Sequence, residues 1–177
     1  MAELNARRMP RHVDLGQPLA TTMASPLSNY ANWIADGRKN PHGLRVVMGY
    51  YLPTWQRGAV WTEAQQIAFM ESAWRGIPLG TYTYNLIHDL GPLDLLLIDG
   101  QQRMTAIERY ITDQFPVLGW RWSEVTEVDR RVFDMSTLFP CFRCHSTDEA
   151  YLRSYYDLMN FGGTAHQPHE RASTIIA

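Results

Sequence analysis

The chain has 177 residues, 45% of them hydrophobic, which is enough for one domain with a full core and too little for two comfortable ones. A formal charge of −2 provides no global basic field, so any nucleic acid has to be held by a local patch or groove, and nonspecific DNA coating is disfavoured. No apolar run approaches the roughly 20 residues that cross a bilayer, and the first thirty residues lack the apolar centre of a secretory signal, so the expectation is a cytoplasmic protein with no membrane partner.

Residues 1–27 are rich in proline, small residues and scattered arginines (Arg7, Arg8, Arg11), with no apolar period. They read as a loose basic arm, able to touch phosphates or simply frayed, ahead of a domain over residues 28–177. A short helix is expected over 28–35, stopped by Asp36-Gly37 and followed by the loop GRKNPHG. LRVVMGYYL reads as a strand. Thr62 with Gln65 three residues on is a capping box for a helix over TEAQQIAFMESAWR, with Ile67, Met70 and Trp74 on one face and a stop at Gly76. TYTYNLI and LDLLLI, separated by HDLGP, read as an antiparallel hairpin. The second run is apolar on both faces, which predicts a central strand. After Gly100 the period becomes helical, with Met104, Ile107 and Ile111 on one side.

IDGQQR, Ile98 to Arg103, therefore falls at a strand-to-helix junction. Glycine lets the backbone turn sharply, and the first helical amides have no intrahelical acceptor and carry the positive end of the helix dipole, a ready anion site. Arg103 can add a bidentate clamp on a phosphate, Gln101 and Gln102 can donate to its oxygens, and Asp99 can hold Mg²⁺ or take a proton from a nucleophile. An aspartate N-cap with a surface first turn would explain Asp99 and one glutamine. It leaves Arg103 unexplained, because a cation at a helix N-terminus is unfavourable without an anion beside it.

Further along, GWRWSE reads as a strand with Trp120 and Trp122 on one face and Arg121 opposite, lining a groove or buried. CFRCH matches the haem c attachment spacing, but no export signal precedes it. A zinc site from Cys141, Cys144 and either His145 or His166 and His169 has ordinary spacing. However, PCFRC reads as a strand with its cysteines on opposite faces, so zinc needs a tight knuckle and free cysteines are the alternative. Ser146 with Glu149 predicts a capping box for a last helix, ended at Asn160-Phe161-Gly162-Gly163. Nucleophile elbows, P-loops, dinucleotide fingerprints and H-E-x-x-H helices are absent. The best motif has one acid, and the only lysine is Lys39 in a loop, so DNA cleavage by this chain alone is disfavoured.

Three segments together resemble the DGQQR family, the N-terminal domain of GmrSD-type modification-dependent restriction enzymes. IDGQQRMTAI is similar to the family signature, LPTWQRGAVWTEAQQ to its Q-R segment, and YYDLMNFGGTAHQPHE to its N-x-x-G segment, in the right order over about residues 44–172. The resemblance implies an α+β fold of the ParB/sulfiredoxin-like kind, a small mixed sheet flanked by helices in a single domain. It implies ATP or another NTP with Mg²⁺ as cofactors and phosphoryl transfer as the chemistry. Carried over by position, Gln56 and Arg57 join Asp99, Gly100, Gln101, Gln102 and Arg103 around the nucleotide, while Asn160, Gly163 and Thr164 close the far side. Met104 replaces the usual leucine, a volume-conserving swap; His166 stands where an apolar residue is usual.

Family members continue into a helical region and often a nuclease. Since this chain ends at Ala177, it is expected to act alone or with a partner subunit. The first reading is a kinase acting on DNA, with a hydroxymethylated base as acceptor, as in phage DNA modification. Arg57, Arg103 and the helix N-terminus would stabilise the transferred phosphoryl group, and Asp99 would take the hydroxyl proton. With water as acceptor the same residues make an NTPase. The alternative from another class is an NTP-gated module that senses modified DNA without turnover. Trp55 and Trp61 flank Arg57, where a ring could stack on a base; Trp61 and Trp74 equally fit the core.

Overall fold

The computed structural model describes residues 18–88 and 91–161. Its elements run α1 (Ala24–Ala35), β1 (Arg45–Val47), β2 (Tyr50–Leu52), α2 (Glu63–Trp74), β3 (Tyr82–Asn85), β4 (Leu97–Asp99), α3 (Gln101–Ile111), α4 (Glu127–Ser136), β5 (Cys141–Cys144) and α5 (Glu149–Phe161). A short 3-10 helix, Trp122–Glu124, precedes α4. The fold class is α+β, as expected. One sheet is mixed, ordered β4-β3-β5, with β3 antiparallel to β4 and parallel to β5; β1 and β2 form a separate antiparallel pair.

Of the segment expected to be a loose arm, residues 18–27 belong to the folded body. Leu19 exchanges backbone hydrogen bonds with Cys141 at 2.8 and 3.1 Å, and Met23 is fully buried. Helix α1 starts at Ala24, four residues before the expected start. Pro26 sits in its first turn, where a missing N–H costs nothing because those amides have no intrahelical acceptor.

The expected single strand over LRVVMGYYL is instead a hairpin, with Val47 opposite Tyr50. Met48 and Gly49 both have positive φ, 51° and 77°, the backbone of a two-residue turn that matches strand twist. Gly49 is also required sterically. A Cβ there would lie 2.9 Å from Asn29 Nδ2 and 3.0 Å from Trp33 Cβ on α1.

Helix α2 begins as its sequence dictates, with the Gln65 amide N–H donating to Thr62 Oγ1 and Thr62 N–H donating to Gln65 Oε1. Thr62→Ala removes one half of this reciprocal pair. A loss of about 1 kcal/mol in denaturant-induced unfolding is expected, and an unchanged midpoint would show that α2 is held by packing alone.

The hairpin of β3 and β4 is present, but the central strand of the three is β3, not β4. The reason LDLLLI is apolar on both faces after Asp94 is that both of its faces are covered. Leu97 faces the main core with Met70, Tyr82, Met104, Ile107 and Phe139, whereas Leu96 and Ile98 face a second cluster with Cys144 and Leu152. On its outer side a parallel bridge joins Leu96 to Tyr51 of β2, so the run is flanked on both edges just before β4 begins. Burying three such side chains contributes roughly 1.5–3 kcal/mol each. This anchors the strand end that carries Asp99.

The Trp120–Trp122 strand is not formed. Trp120 closes a turn by mutual backbone hydrogen bonds with Val117 at 2.9 Å, and Trp122 opens the 3-10 helix, packed on Trp74 and Phe133. Arg121 donates to the carbonyl of Asp113 and lines no groove with these rings. Helix α4, which the reading by motif passed over, is capped by Thr126 accepting from the Asp129 amide at 3.1 Å.

Strand β5 forms over CFRC, with both cysteines buried and neither in a disulfide. Cys141 belongs to the main core and Cys144 to the second cluster, on opposite faces of the sheet, so no knuckle brings them to one metal. Among the described residues no group of three potential metal ligands exists, and His166 and His169 lie outside them. His145 Nδ1 sits 2.7 Å from the Leu86 carbonyl. The expected Ser146–Glu149 capping box is replaced by Asp148, whose Oδ1 accepts from the amides of Ala150 and Tyr151 at 2.8 and 3.4 Å. Ser146 Oγ instead accepts from the Asp148 amide at 3.1 Å, and its own amide donates to Asn85 Oδ1 at 2.9 Å. Among the described residues no helix is long and apolar enough to cross a membrane.

Candidate functional site

The strand-to-helix turn after β4 is made by Gly100, whose φ of 101° is left-handed. A Cβ at this position would fall 2.7 Å from the Cβ of Tyr82 on β3, so only glycine fits both the torsion and the space. The turn delivers the start of α3 directly behind the sheet edge. No side chain caps that start, and the first amides of α3 are left as donors.

Around it lies a cleft of about 210 Å³ lined by Gln56, Arg57, Trp61, Asp99, Gly100, Gln101, Gln102, Arg103 and Tyr156. Two expected site segments, 56–61 and 99–103, therefore converge although some forty residues separate them in the chain. The two glutamines explain how. The Gln101 side-chain amide, in the orientation that satisfies both its atoms, donates to the Arg57 carbonyl at 2.8 Å and accepts from the Ala59 amide at 3.0 Å. Gln102 Oε1 accepts from the amides of Val60 and Trp61 at 2.9 and 3.1 Å, and its Nε2 donates to the Gly58 carbonyl at 3.3 Å. Both side chains thus tie the 57–61 loop to α3. In this state they hold the loop in place, each committing one of its two amide protons and its oxygen to the loop backbone.

The loop so held presents Arg57, which is exposed and has no anionic partner among the described residues. Arg103 differs. Its Nη2 donates to Asp99 Oδ2 at 2.6 Å, with the two side chains 23% and 22% exposed. An ion pair this exposed contributes about 1 kcal/mol or less, whereas a charge-assisted hydrogen bond to a phosphate contributes about 1.5–3 kcal/mol. Asp99 also acts on α5: burial pushes the pKa of the Tyr155 hydroxyl above its ordinary value, and the Asp99 charge adds to that effect.

Gln56 is buried. Its Nε2 donates to the Ile98 carbonyl at 3.3 Å, but its Oε1 has no donor among the described residues. A buried acceptor left unpaired costs roughly 1–3 kcal/mol. It calls for an N–H, an O–H or a water at the floor of the cleft.

The two tryptophans expected to frame Arg57 separate. Trp61 lines the cleft and packs against Phe69, ring centroids 5.6 Å apart. Trp55 turns away to α5, where its Nε1 donates to Glu149 Oε1 at 3.1 Å, Arg153 stands over its ring and Tyr156 meets it edge-on. The hydrogen bond from Arg153, with that from Trp55 added, holds the pKa of the Glu149 carboxyl below its ordinary value. Tyr156 is the cleft residue that motif reading did not single out. It stands one position inside the YYDLMNF segment, and only the packing of α5 onto β4 shows that it faces the cleft. Asn160 falls in the last turn of α5, while Gly163 and Thr164 lie outside the described residues.

The donor set offers a resident divalent cation one carboxylate, already bonded to Arg103, and no second acid. While Asp99 is paired with Arg103, no carboxylate is open for a protein-held Mg²⁺, which uses one or two besides phosphate oxygens. The arrangement suits an anion instead: a helix N-terminus, a free guanidinium, and a second guanidinium held by a weak pair.

The cleft and the strand-to-helix turn that forms it thus sit within a single α+β domain. Residues 32–162 match the family model described as GmrSD restriction endonuclease, N-terminal domain, and the chain belongs to that family. The matched span includes every residue lining the cleft. Membership ties the domain to modification-dependent restriction, a form of phage defence. No curated protein and no solved structure matches the chain.

Proposed function

We propose that the domain binds and hydrolyses a nucleoside triphosphate in the cleft at the start of α3, as the nucleotide-handling module of a restriction system directed at modified DNA. The observation that carries this reading is Arg57, a guanidinium without an anionic partner, held by two glutamine side chains beside the uncapped start of α3. Phosphate charge is what such a constellation stabilises.

Chemically, Arg57 and the α3 amides would hold the terminal phosphates, and Arg103 would leave Asp99 to meet charge developing on the transferred group. Asp99, thereby released, lies at the turn as the acceptor for a proton from the attacking oxygen. Mg²⁺ would arrive bound to the nucleotide as part of the substrate. Water is the favoured acceptor because the stacking platform an unpaired DNA base requires is reduced: Trp55 is engaged by α5, leaving Trp61 and Tyr156. A kinase acting on a hydroxymethylated base keeps the same phosphate site and changes only the acceptor.

The test is incubation with γ-labelled ATP or GTP, Mg²⁺ and either hydroxymethylated or plain DNA. Free labelled phosphate is the expected product. Label on the DNA would make the protein a kinase, and label remaining wholly on the nucleotide would leave a binding module. Asp99→Asn should lower turnover at least about hundredfold, the usual weight of a positioned acid–base group, with nucleotide affinity equal to or above that of the parent because Arg103 is set free. Loss of affinity in parallel with turnover would remove Asp99 from the chemistry.

A further inference from the structure

A second cavity, of about 370 Å³, opens near the C-terminal end of α3, whose other end forms the cleft. Three aromatic residues line it. Tyr110 is buried and fixed by its ring contacts with Phe115 and Trp122; Trp74 is half-buried; Trp120 is 60% exposed although no core packing asks for a tryptophan there. Glu124 and Asp129 also line the cavity, and no arginine or lysine does. Each carboxylate uses one oxygen locally, Glu124 Oε2 accepting from the Arg121 amide and Asp129 Oδ2 from the Thr126 hydroxyl. The second oxygen of each has no partner among the described residues.

Beside this cavity α4 carries an apolar stripe on its solvent side. Val128, Val132 and Met135 follow helical spacing and are 71%, 56% and 65% exposed, and Asp129 joins them to the cavity from the same helix. A helix normally turns such a stripe to the core; here the core residue of α4 is Phe133. Exposed apolar side chains grouped beside an aromatic cavity are the kind of surface that interaction sites use.

We propose that the cavity and the α4 stripe form a docking site for a protein segment that inserts an arginine side chain, flanked by apolar residues, between Trp74 and Trp120. The occupant follows from charge and shape. Two carboxylates in a lining without arginine or lysine, neither in a salt bridge among the described residues, repel nucleic-acid phosphates and attract a base. A planar guanidinium stacks on indole faces and forks onto carboxylates in a way that an ammonium does not. The flanking apolar residues of the partner cover Val128, Val132 and Met135. This site is independent of whatever occupies the cleft.

The test titrates a capped leucine-arginine-leucine peptide into the full chain while following the tryptophan indole N–H signals by NMR. The Trp74 and Trp120 signals should shift and saturate, and the same peptide with norleucine for arginine should bind about tenfold more weakly or worse. Trp120→Ala, and separately the double variant Glu124→Gln with Asp129→Asn, should each bring the arginine peptide down to the norleucine level. All three positions are exposed, so unchanged thermal midpoints will show that the fold is intact. Equal affinity for the two peptides, an arginine preference surviving in both variants, or no saturable shift at Trp74 and Trp120 would overturn the proposal.

Discussion

Gly100→Ala is expected to be the most damaging single substitution in the described part of the chain. Two separate costs add at this position. An L-residue at a φ of 101° is strained by roughly 1–2 kcal/mol, and a Cβ placed 2.7 Å from Tyr82 Cβ overpacks a buried strand at roughly 1–3 kcal/mol. Tyr82 has little freedom to move, being fully buried against Phe139 and Tyr84, with ring centroids 4.8 and 6.0 Å away. The sum, about 2–5 kcal/mol, should lower the thermal midpoint by about 5–15 °C for a domain of this size. Gly76→Ala separates the two costs, because Gly76 also has a positive φ, 69°, yet nothing lies within 4 Å of its would-be Cβ. It should show the torsional part alone. Equal effects in the two variants would mean that the close approach of α3 to β3 contributes nothing.

Arg57→Ala carries the largest expected effect on ligand binding. Its guanidinium has no ion pair to lose and its side chain is exposed, so unfolding should be unchanged within about 0.5 kcal/mol, the range of ordinary surface substitutions. Nucleotide affinity should fall about tenfold to a hundredfold, the weight of a charge-assisted contact. Arg57→Lys should recover only part of this, since a point charge does not reproduce the bidentate fork. Calorimetric titration with a non-hydrolysable triphosphate reads the effect directly. Wild-type affinity in Arg57→Ala would remove the residue from the site and, with it, the main support for the cleft as the nucleotide pocket.

The two glutamines of the DGQQR turn show how a motif can be located correctly and yet have its immediate job obscured. In the sequence they stand next to an arginine and a helix start, and donation to phosphate is the natural inference. In the fold their amides are bonded to the backbone of residues 57–61, a loop some forty positions earlier. What they supply is the placement of Arg57. Trp55 shows the converse case: its position beside Arg57 suggested a stacking role, but one residue along an irregular loop is enough to reverse the direction of a side chain, and α5 supplies the hydrogen-bond partner that holds it there.

By itself the sequence determined what depends on local chemistry. The Thr62 box starts α2, Gly100 turns the chain between β4 and α3, and the apolar run ahead of Asp99 is buried on both sides. These follow from hydrogen-bond satisfaction, backbone sterics and burial within a few residues. The tertiary structure alone decided what depends on distant partners. It placed β3 rather than β4 at the centre of the sheet, split LRVVMGYYL into a hairpin closed over α1, gave Asp148 the cap of α5, and brought Tyr156 to the cleft while removing Trp55 from it. The physical reason is the same in each case: strand order, loop direction and helix docking are set by contacts between segments far apart in the chain, and no local pattern encodes which distant partner a half-apolar segment will meet.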